Sequence, residues 1–419
     1  MVTAALFGMA KTRFWRLKMG SKHPVHPDID LLSGGFYAKD PHPHYRWMRE
    51  NAPVYRDPKH GVWGITKHQD IMALSKQSGK FINAQGMRPD YPGVDNMICM
   101  DDPMHKHRRN LVNRGFTKGR VFDLEKKVRG VCRDLIDRAA KKGEFEFVRE
   151  VAAPLPMIMI GDMLGVLPED REMLLRWSDD LMAGLTGIAD LDEGKVVRMN
   201  RANEEYREYC LSVVEQRRKT GSTDDLMGVL VHAEIDGERL DDEALFQESL
   251  LILIGGDETT RHVISGGMDQ LLSHPEERQK LIDDPAKIPV AVEEMLRWVT
   301  PILNMARTPV EDVELRGETI PAGEKCVLLY PSGNRDEEVF DLPDRFNVER
   351  DPNFHVAFGG YGSHFCLGAS LARLELRVMF EEILARAPDL ERISSAPPRY
   401  RPSNFITGIE ELPLRSPRG

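Results

Sequence analysis

Cysteine is scarce in this sequence, and the cysteines present follow no pairing pattern. The chain of 419 residues holds five of them, with no CxxC spacing: Cys99, Cys132, Cys210, Cys326 and Cys366. An odd and scattered set excludes a disulfide framework and a zinc site built on paired cysteines. We therefore expect reduced thiols and a cytoplasmic location.

Long apolar runs and an excess of basic residues are also missing. No apolar stretch is long enough to span a membrane, so we expect no transmembrane segment. Residues 2–10 form too short an apolar run and precede the nearby basic residues, so we expect no signal peptide. The formal net charge of −10 argues against general nucleic-acid binding.

The periodicity of apolar residues predicts a mainly α protein with small β-sheets, an α+β fold. Apolar residues recur at three- and four-residue spacing over 118–141, 149–164, 169–183, 196–219 and 241–273. Asn51–Thr66 is typical of a hairpin, and short strands are expected between Val310 and Tyr330, followed by an irregular stretch over 331–354. Because there is no internal repeat and no long linker, we expect one domain over 28–419.

Residues 1–27 differ from the rest of the chain. They include several basic residues and no acidic residue. A flexible extension is the favoured interpretation, and a short amphipathic helix that contacts a membrane or a partner is the alternative.

The segment Phe358–Gly368, FGGYGSHFCLG, ends a glycine-rich turn just before a helical pattern. Its glycines allow the backbone to approach a flat object closely. The free N–H groups at the start of the following helix favour the thiolate form of Cys366. A thiolate in such a turn suits a soft metal, and haem iron is one candidate. The alternative is a buried cysteine in a tight turn.

This segment resembles the haem-binding loop of the cytochrome P-450 family. The resemblance implies the P-450 fold, a single haem-binding domain, and haem b (iron protoporphyrin IX) with Cys366 as the axial ligand of its iron. It also implies that Phe358 flanks the thiolate and that Gly368 belongs to the loop. The family usually places this phenylalanine seven residues before the cysteine, whereas Phe358 lies eight before Cys366.

The segment LLILIGGDETTR over 250–261 resembles the family's oxygen-activating helix. Gly255 and Gly256 interrupt an apolar helix pattern, at a cost of about 1 kcal/mol each relative to alanine. The resemblance implies that Thr259 donates a hydrogen bond to bound dioxygen and that Glu258 relays protons from solvent. A glycine-rich packing face followed by a solvated turn is the alternative.

Two further sets of residues gain their roles from the resemblance. The family has a buried Glu-x-x-Arg that meets a later arginine; Glu294 and Arg297 match the first two positions and Arg345 the third. Cations that would meet the haem propionates are His105, Arg109, Arg307 and His364. Each of these cations alone is also compatible with an ordinary surface position.

The segments that cover the haem in the family are mostly apolar here, which suits a long hydrophobic substrate. The predicted pocket residues are Met87, Met97, Leu181, Met182, Leu185, Leu251, Ile254, Ile302, Leu303, Met305, Phe405 and Ile406. Ordinary core residues are the alternative for about half of them.

Within the family, stretches such as GGDETTRHVISGG and RPSNFITG resemble actinobacterial members that hydroxylate the terminal methyl of the cholesterol or cholestenone side chain. The resemblance therefore implies a monooxygenase that uses dioxygen and a hydrophobic substrate. Because the chain has no flavin or iron–sulfur module, electrons are expected from an external ferredoxin and an NAD(P)H-dependent reductase. Alternatives are a hydroxylase of fatty acids, methyl-branched lipids or terpenes, a peroxide-driven hydroxylase, and a non-catalytic haem-thiolate sensor or carrier.

Overall fold

Helices form most of the protein in the computed structural model, which describes residues 23–183, 191–235 and 237–417. They form where apolar residues recur every three to four positions and so can face a common core. The helices are Gly34–Ala38, His42–Asn51, His68–Lys76, Met104–Asn113, Lys118–Asp123, Glu125–Ala140, Pro154–Met163, Arg171–Ala183, Glu193–Thr220, Leu226–His232, Asp242–Ser273, Pro275–Asp283, Ile288–Val299, Tyr330–Gly333 and Ala369–Arg386.

The helix Asp242–Ser273, called the long helix below, is the central element. The side chain of Asp241 caps its start by accepting a hydrogen bond from the Ala244 N–H. The helix is buried along much of its 32 residues. It packs against the helices Pro154–Met163, Glu193–Thr220, Ile288–Val299 and Ala369–Arg386, so its residues reach the middle of the molecule.

A five-stranded sheet lies beside the helices. Its strands are β1 Val54–Arg56, β2 Trp63–Ile65, β3 Phe81–Ile82, β7 Asn304–Pro309 and β10 Cys326–Leu329. Their order in the sheet is β1-β2-β10-β7-β3. Strands β2 and β10 are parallel, and all other neighbouring strands are antiparallel.

Smaller sheets complete the fold. Their strands are β4 Glu144–Glu146, β5 Glu234–Ile235, β6 Glu238–Arg239, β8 Val313–Leu315, β9 Glu318–Ile320, β11 Glu391–Arg392 and β12 Pro413–Arg415. Strands β11, β12 and β4 form a three-stranded sheet in that order, and β5-β6 and β8-β9 are two separate hairpins. The predicted class, mainly α with small sheets, is confirmed.

The predicted elements differ from the observed ones mainly where helices break. The helix predicted over 118–141 is divided at Leu124. The helix predicted over 149–164 starts as a π-helical turn, Val148–Ala152, and becomes regular at Pro154. A proline in the first turn removes an N–H that has no partner there, so the regular helix begins at that point.

The N-terminal residues that the structure describes already contact the body of the protein. The ring of His23 lies 3.1 Å from Glu318 and accepts a hydrogen bond from the Arg56 N–H at 2.9 Å. Packing therefore begins before the predicted boundary at residue 28, and residues 1–22 lie outside the described residues. None of the described helices combines the length and the apolar character needed to cross a membrane.

Candidate active site

The cysteine loop, Phe358–Gly368, folds as a tight turn against the helix His68–Lys76. Its backbone is left-handed at Gly359 (φ +93°) and at Tyr361 (φ +57°), and the Cys366 N–H donates to the Phe358 carbonyl at 3.0 Å. A Cβ atom on Gly362 would lie 1.8 Å from the Ser75 carbonyl oxygen. This close approach requires glycine and fixes the loop in place.

The thiol of Cys366 faces an internal cavity. Its side chain is exposed, but the surface it exposes lines that cavity and not the outside of the protein. Burial raises the pKa of the thiol, while the N–H groups of Gly368 and Ala369 and the charges of Arg109 and Arg373 lower it. These groups favour the thiolate once a cation such as a metal ion compensates for the burial.

The cavity above the thiol has a volume of about 220 Å³ and a largely apolar lining. The structure brings many of the predicted site residues to this cavity. They are Met97, His105, Arg109, Leu251, Gly255, Gly256, Thr259, Ile302, Met305, Arg307, Phe358, His364, Cys366 and Gly368. Phe358 lines the cavity although it lies eight residues before Cys366, one more than is usual in the family.

Basic side chains lie along one edge of the cavity. Arg307 is 5% exposed and donates a hydrogen bond to the Ala306 carbonyl. The rings of His105 and His364 stack with centroids 3.9 Å apart. Within the described part of the chain, no carboxylate lies at ion-pair distance from Arg109, Arg307 or His364.

This edge of the cavity has a positive electrostatic field. Burial, followed by the charges of Arg307 and its cationic neighbours, lowers the pKa of His364 to about 2. Burial also lowers the pKa of the Arg307 guanidinium. Buried cations without counter-ions need an anionic ligand, so the residues present fit a flat cofactor that carries carboxylates.

The long helix leaves open space beside its backbone where it borders the cavity. No atom lies within 4 Å of a Cβ built on Gly255, whereas a Cβ on Gly256 would lie 2.4 Å from Ile160. Gly255 therefore leaves room in the cavity, and Gly256 allows the helix Pro154–Met163 to pack closely. One turn later, the Thr259 hydroxyl donates to the Gly255 carbonyl at 2.8 Å.

Glu258 does not line the cavity. It is fully buried and forms ion pairs with Arg401 at 2.7 Å and Arg261 at 2.8 Å, and it lies 3.3 Å from His262. Burial alone would raise the pKa of Glu258, but these cations hold it below its usual range. The role of Glu258 in proton relay stays a prediction.

Comparison with known proteins agrees with this geometry. Residues 188–387 match the family model described as Cytochrome P450. The chain is 48% identical over 391 residues to the Steroid C26-monooxygenase of Mycolicibacterium smegmatis, which covers 93% of this chain and 96% of that protein. The chain belongs to the cytochrome P450 family. It is a monooxygenase with a haem-thiolate cofactor, and it requires dioxygen, a hydrophobic substrate and a source of electrons.

Other P450s are similar over comparable lengths. The Methyl-branched lipid omega-hydroxylase of Mycobacterium tuberculosis is 35% identical over 421 residues, covering 94% of this chain and 96% of that protein. A solved P450 from Mycobacterium marinum, in complex with pseudoionone, superposes with a TM-score of 0.85 and 32% identity over 94% of this chain and all of that one. The P450 fold predicted from the sequence is confirmed.

The buried ion-pair network of this P450 differs from the predicted one at one position. Arg297 binds Glu294 through two hydrogen bonds, at 2.7 and 2.8 Å. The third member is Arg350, whose Nε lies 3.1 Å from Glu294. Arg345 is exposed and contributes its backbone carbonyl, so the prediction of its side chain as third member is wrong.

The predicted pocket residues divide into several groups. Met97, Leu251, Ile302 and Met305 line the cavity. A second group forms an apolar cluster next to the cavity, called the roof cluster below: Met87, Met182, Ile254, Phe405 and Ile406, packed with Ile302 and Met305.

Two predicted pocket residues belong to other parts of the core. Leu181 packs in the main helical core, and Leu303 packs among residues of the N-terminal segment. Both are buried and apolar, so composition alone could not separate them from pocket residues. Leu185 lies outside the described residues.

Sequence reasoning also missed residues that line the cavity. On the long helix, Ile252 and Val263 continue the face of Gly255 and Thr259 at helical spacing, and extending the period would have identified them. Glu375 is a buried acid in the lining. Burial and the nearby Asp257 raise its pKa to about 8, and no feature of the sequence distinguishes it from the surface acids around it.

Proposed function

We propose that this P450 hydroxylates a terminal methyl carbon of a steroid side chain, with cholest-4-en-3-one or cholesterol as substrate. The observation that supports this most is the 48% identity to a Steroid C26-monooxygenase over 93% of the chain. The apolar cavity above Cys366 supports a long hydrophobic ligand, and the steroid would enter it side chain first.

The proposed cofactor is haem b, which when bound supplies the activation of dioxygen. Cys366 would be its axial ligand, and four basic residues beside the cavity would hold its propionates. These residues are His105, Arg109, Arg307 and His364. Gly255 and Gly368 would leave room for the ring, Gly256 would line its site, and Phe358 would lie beside the thiolate.

Two residues of the long helix are proposed to handle protons. The Thr259 hydroxyl faces the cavity and can turn from the Gly255 carbonyl to a ligand. Glu258 directly precedes Thr259 in the sequence. It would relay protons from solvent to Thr259 after its ion pairs with Arg261 and Arg401 rearrange.

Attack at a terminal methyl requires positioning, because the nearby tertiary C–H bond is weaker. A narrow apolar passage that holds the branch point away from the reacting centre would achieve this. Leu251, Ile302 and Met305 line the cavity and are the proposed walls of that passage.

Electrons are proposed to come from a ferredoxin and an NAD(P)H-dependent reductase in the cytoplasm. The free cysteines support a reducing compartment, because Cys99, Cys132, Cys210 and Cys326 are buried thiols with no disulfide partner among the described residues.

Steroid titration followed by product analysis tests the proposal. Cholest-4-en-3-one should shift the Soret band of the purified haem protein, and turnover with a ferredoxin and its reductase should yield the terminal alcohol. A second candidate, hydroxylation of methyl-branched lipids, is favoured by the 35% identity to the omega-hydroxylase. Tight binding of a methyl-branched fatty acid, with no shift on adding steroids, would replace the first candidate with the second.

A further inference from the structure

A buried arginine behind the roof cluster has donors that no described residue accepts. Arg88 is 2% exposed. Its Nη2 donates to Asn404 Oδ1 at 3.0 Å and lies 3.3 Å from Asp90. Its Nε and Nη1 are buried and make no hydrogen bond to any residue that the structure describes. Unfilled donors on a buried cation are costly, so their retention requires an explanation.

Arg88 packs against the roof cluster. It directly follows Met87 of the roof cluster, and its guanidinium lies 5.0 Å from the centre of the Phe405 ring of the same cluster. Tyr91 lies on it as well, at 4.1 Å. The roof cluster shares Ile302 and Met305 with the cavity lining, so it connects Arg88 to the cavity.

The roof cluster can yield to a ligand. Three of its members, Met87, Met182 and Met305, are methionines, and methionine side chains are unbranched and adapt easily to a new neighbour. A rigid polycyclic ligand whose flexible chain points toward Cys366 would extend into this cluster. Its far end would then come to the guanidinium edge of Arg88.

We propose that Arg88 donates hydrogen bonds to the oxygen atom at the end of the substrate remote from the reacting carbon. This rests on the proposed steroid substrate, and it names a residue that selects among steroids. A carbonyl or hydroxyl oxygen accepts from Nε and Nη1 without adding a charge to an apolar site. Arg88 keeps its pair with Asp90 throughout, so the site remains close to neutral.

The competing role for Arg88 is purely structural. The Arg88 and Tyr91 carbonyls accept from the half-buried Lys325 ammonium at 2.7 and 3.0 Å, so the segment around Arg88 is held independently of its guanidinium. Lys325→Met loosens this segment and leaves the Arg88 donors intact, which makes it the matched control.

The test compares two ligands with the same carbon skeleton, cholest-4-en-3-one and 5α-cholestane, which lacks the oxygen. Soret titrations give Kd for each ligand with the wild-type haem protein, Arg88→Met, Arg88→Lys and Lys325→Met. The wild type should prefer the oxygenated ligand by about ten- to hundredfold, the range of a hydrogen bond from a charged donor. Arg88→Met should lose this preference and bind 5α-cholestane as the wild type does.

Arg88→Lys keeps the charge but lacks the Nε and Nη1 donors, so its preference for cholest-4-en-3-one over 5α-cholestane should also fall. This variant replaces Arg88→Met in the test if Arg88→Met does not fold. Lys325→Met should weaken both ligands equally. Equal weakening of both ligands by the Arg88 variants, or an unchanged preference, overturns the role of Arg88 alone. No spectral shift with either steroid in the wild type overturns the proposed substrate and this inference together.

Discussion

At the scale of single residues, the environment of one sulfur atom determines the chemistry of the site. Cys366→Ala should leave the fold intact but lose the red-shifted carbonyl band that marks thiolate-ligated haem. The measurement is the difference spectrum of the reduced carbonyl complex. Cys326→Ala is the control, because Cys326 is buried in β10 and does not line the cavity. If Cys326→Ala loses the band and Cys366→Ala keeps it, the haem ligand is Cys326 and the assignment of Cys366 is wrong.

Two adjacent threonines offer a test of the proton relay. Thr259→Ala should still bind substrate, but a larger share of electrons should leave as peroxide, because a positioned proton donor contributes about 10²–10⁴ in rate. Peroxide and product are measured per NAD(P)H consumed. Thr260 also lines the cavity, so Thr260→Ala is the matched comparison. Uncoupling in Thr260→Ala with normal coupling in Thr259→Ala would move the role by one residue.

At the scale of elements, the network around Glu294 joins a helix to an irregular segment. Arg350→Ala leaves Glu294 buried with one fewer cation, which should cost about 3 kcal/mol of unfolding free energy. Arg345→Ala removes an exposed side chain and should cost less than about 0.5 kcal/mol. Urea unfolding of the two variants, followed by haem absorbance, measures the difference. Similar costs would show that the network depends on Arg345 as much as on Arg350.

Elements with a regular period could be predicted, and side-chain directions in irregular segments could not. The long helix and the cysteine loop follow from apolar spacing and glycine positions that are local in the sequence. Arg345 and Arg350 lie in the irregular stretch over 331–354, where no period indicates which arginine points inward. One ion-pair partner of Glu258, Arg401, could not be predicted either, because it follows Glu258 143 residues later.

The pocket prediction shows the same limit. Leu181 and Met182 are adjacent on one helix and both are buried, yet only Met182 belongs to the roof cluster. Which of two apolar neighbours faces a cavity depends on the tilt and rotation of the helix, and these are set by packing against distant elements.

At the scale of the whole molecule, buried histidines should make the protein sensitive to acid. His262 is fully buried and faces Glu258, Arg261 and Arg401. Burial lowers its pKa to about 4, against about 6.5 in an unfolded chain. Between about pH 6.5 and pH 4, His262 is therefore protonated in the unfolded chain but not in the folded protein. This difference lowers the unfolding free energy as pH falls toward about 4.

The expected contribution of His262 is about 1.4 kcal/mol per pH unit within this window. Unfolding free energies measured at about pH 7 and pH 5 for the wild type and His262→Gln give the slope. The slope for His262→Gln should be smaller, corresponding to about one fewer proton bound on unfolding. An identical slope in both proteins would mean that His262 is already charged in the folded state.

The parallel pairing of β2 with β10 has a consequence for how the protein is made. Trp63 in β2 donates a hydrogen bond to Glu324, 261 residues later, and Asn404 donates to the Leu32 carbonyl across 372 residues. Contacts this distant can form only after the later partner has been synthesised. The edge of β2 that pairs with β10 therefore stays unpaired until residues 326–329 have left the ribosome. His105 and Arg109 emerge before Cys366, so the three residues can hold a cofactor together only after Cys366 has emerged.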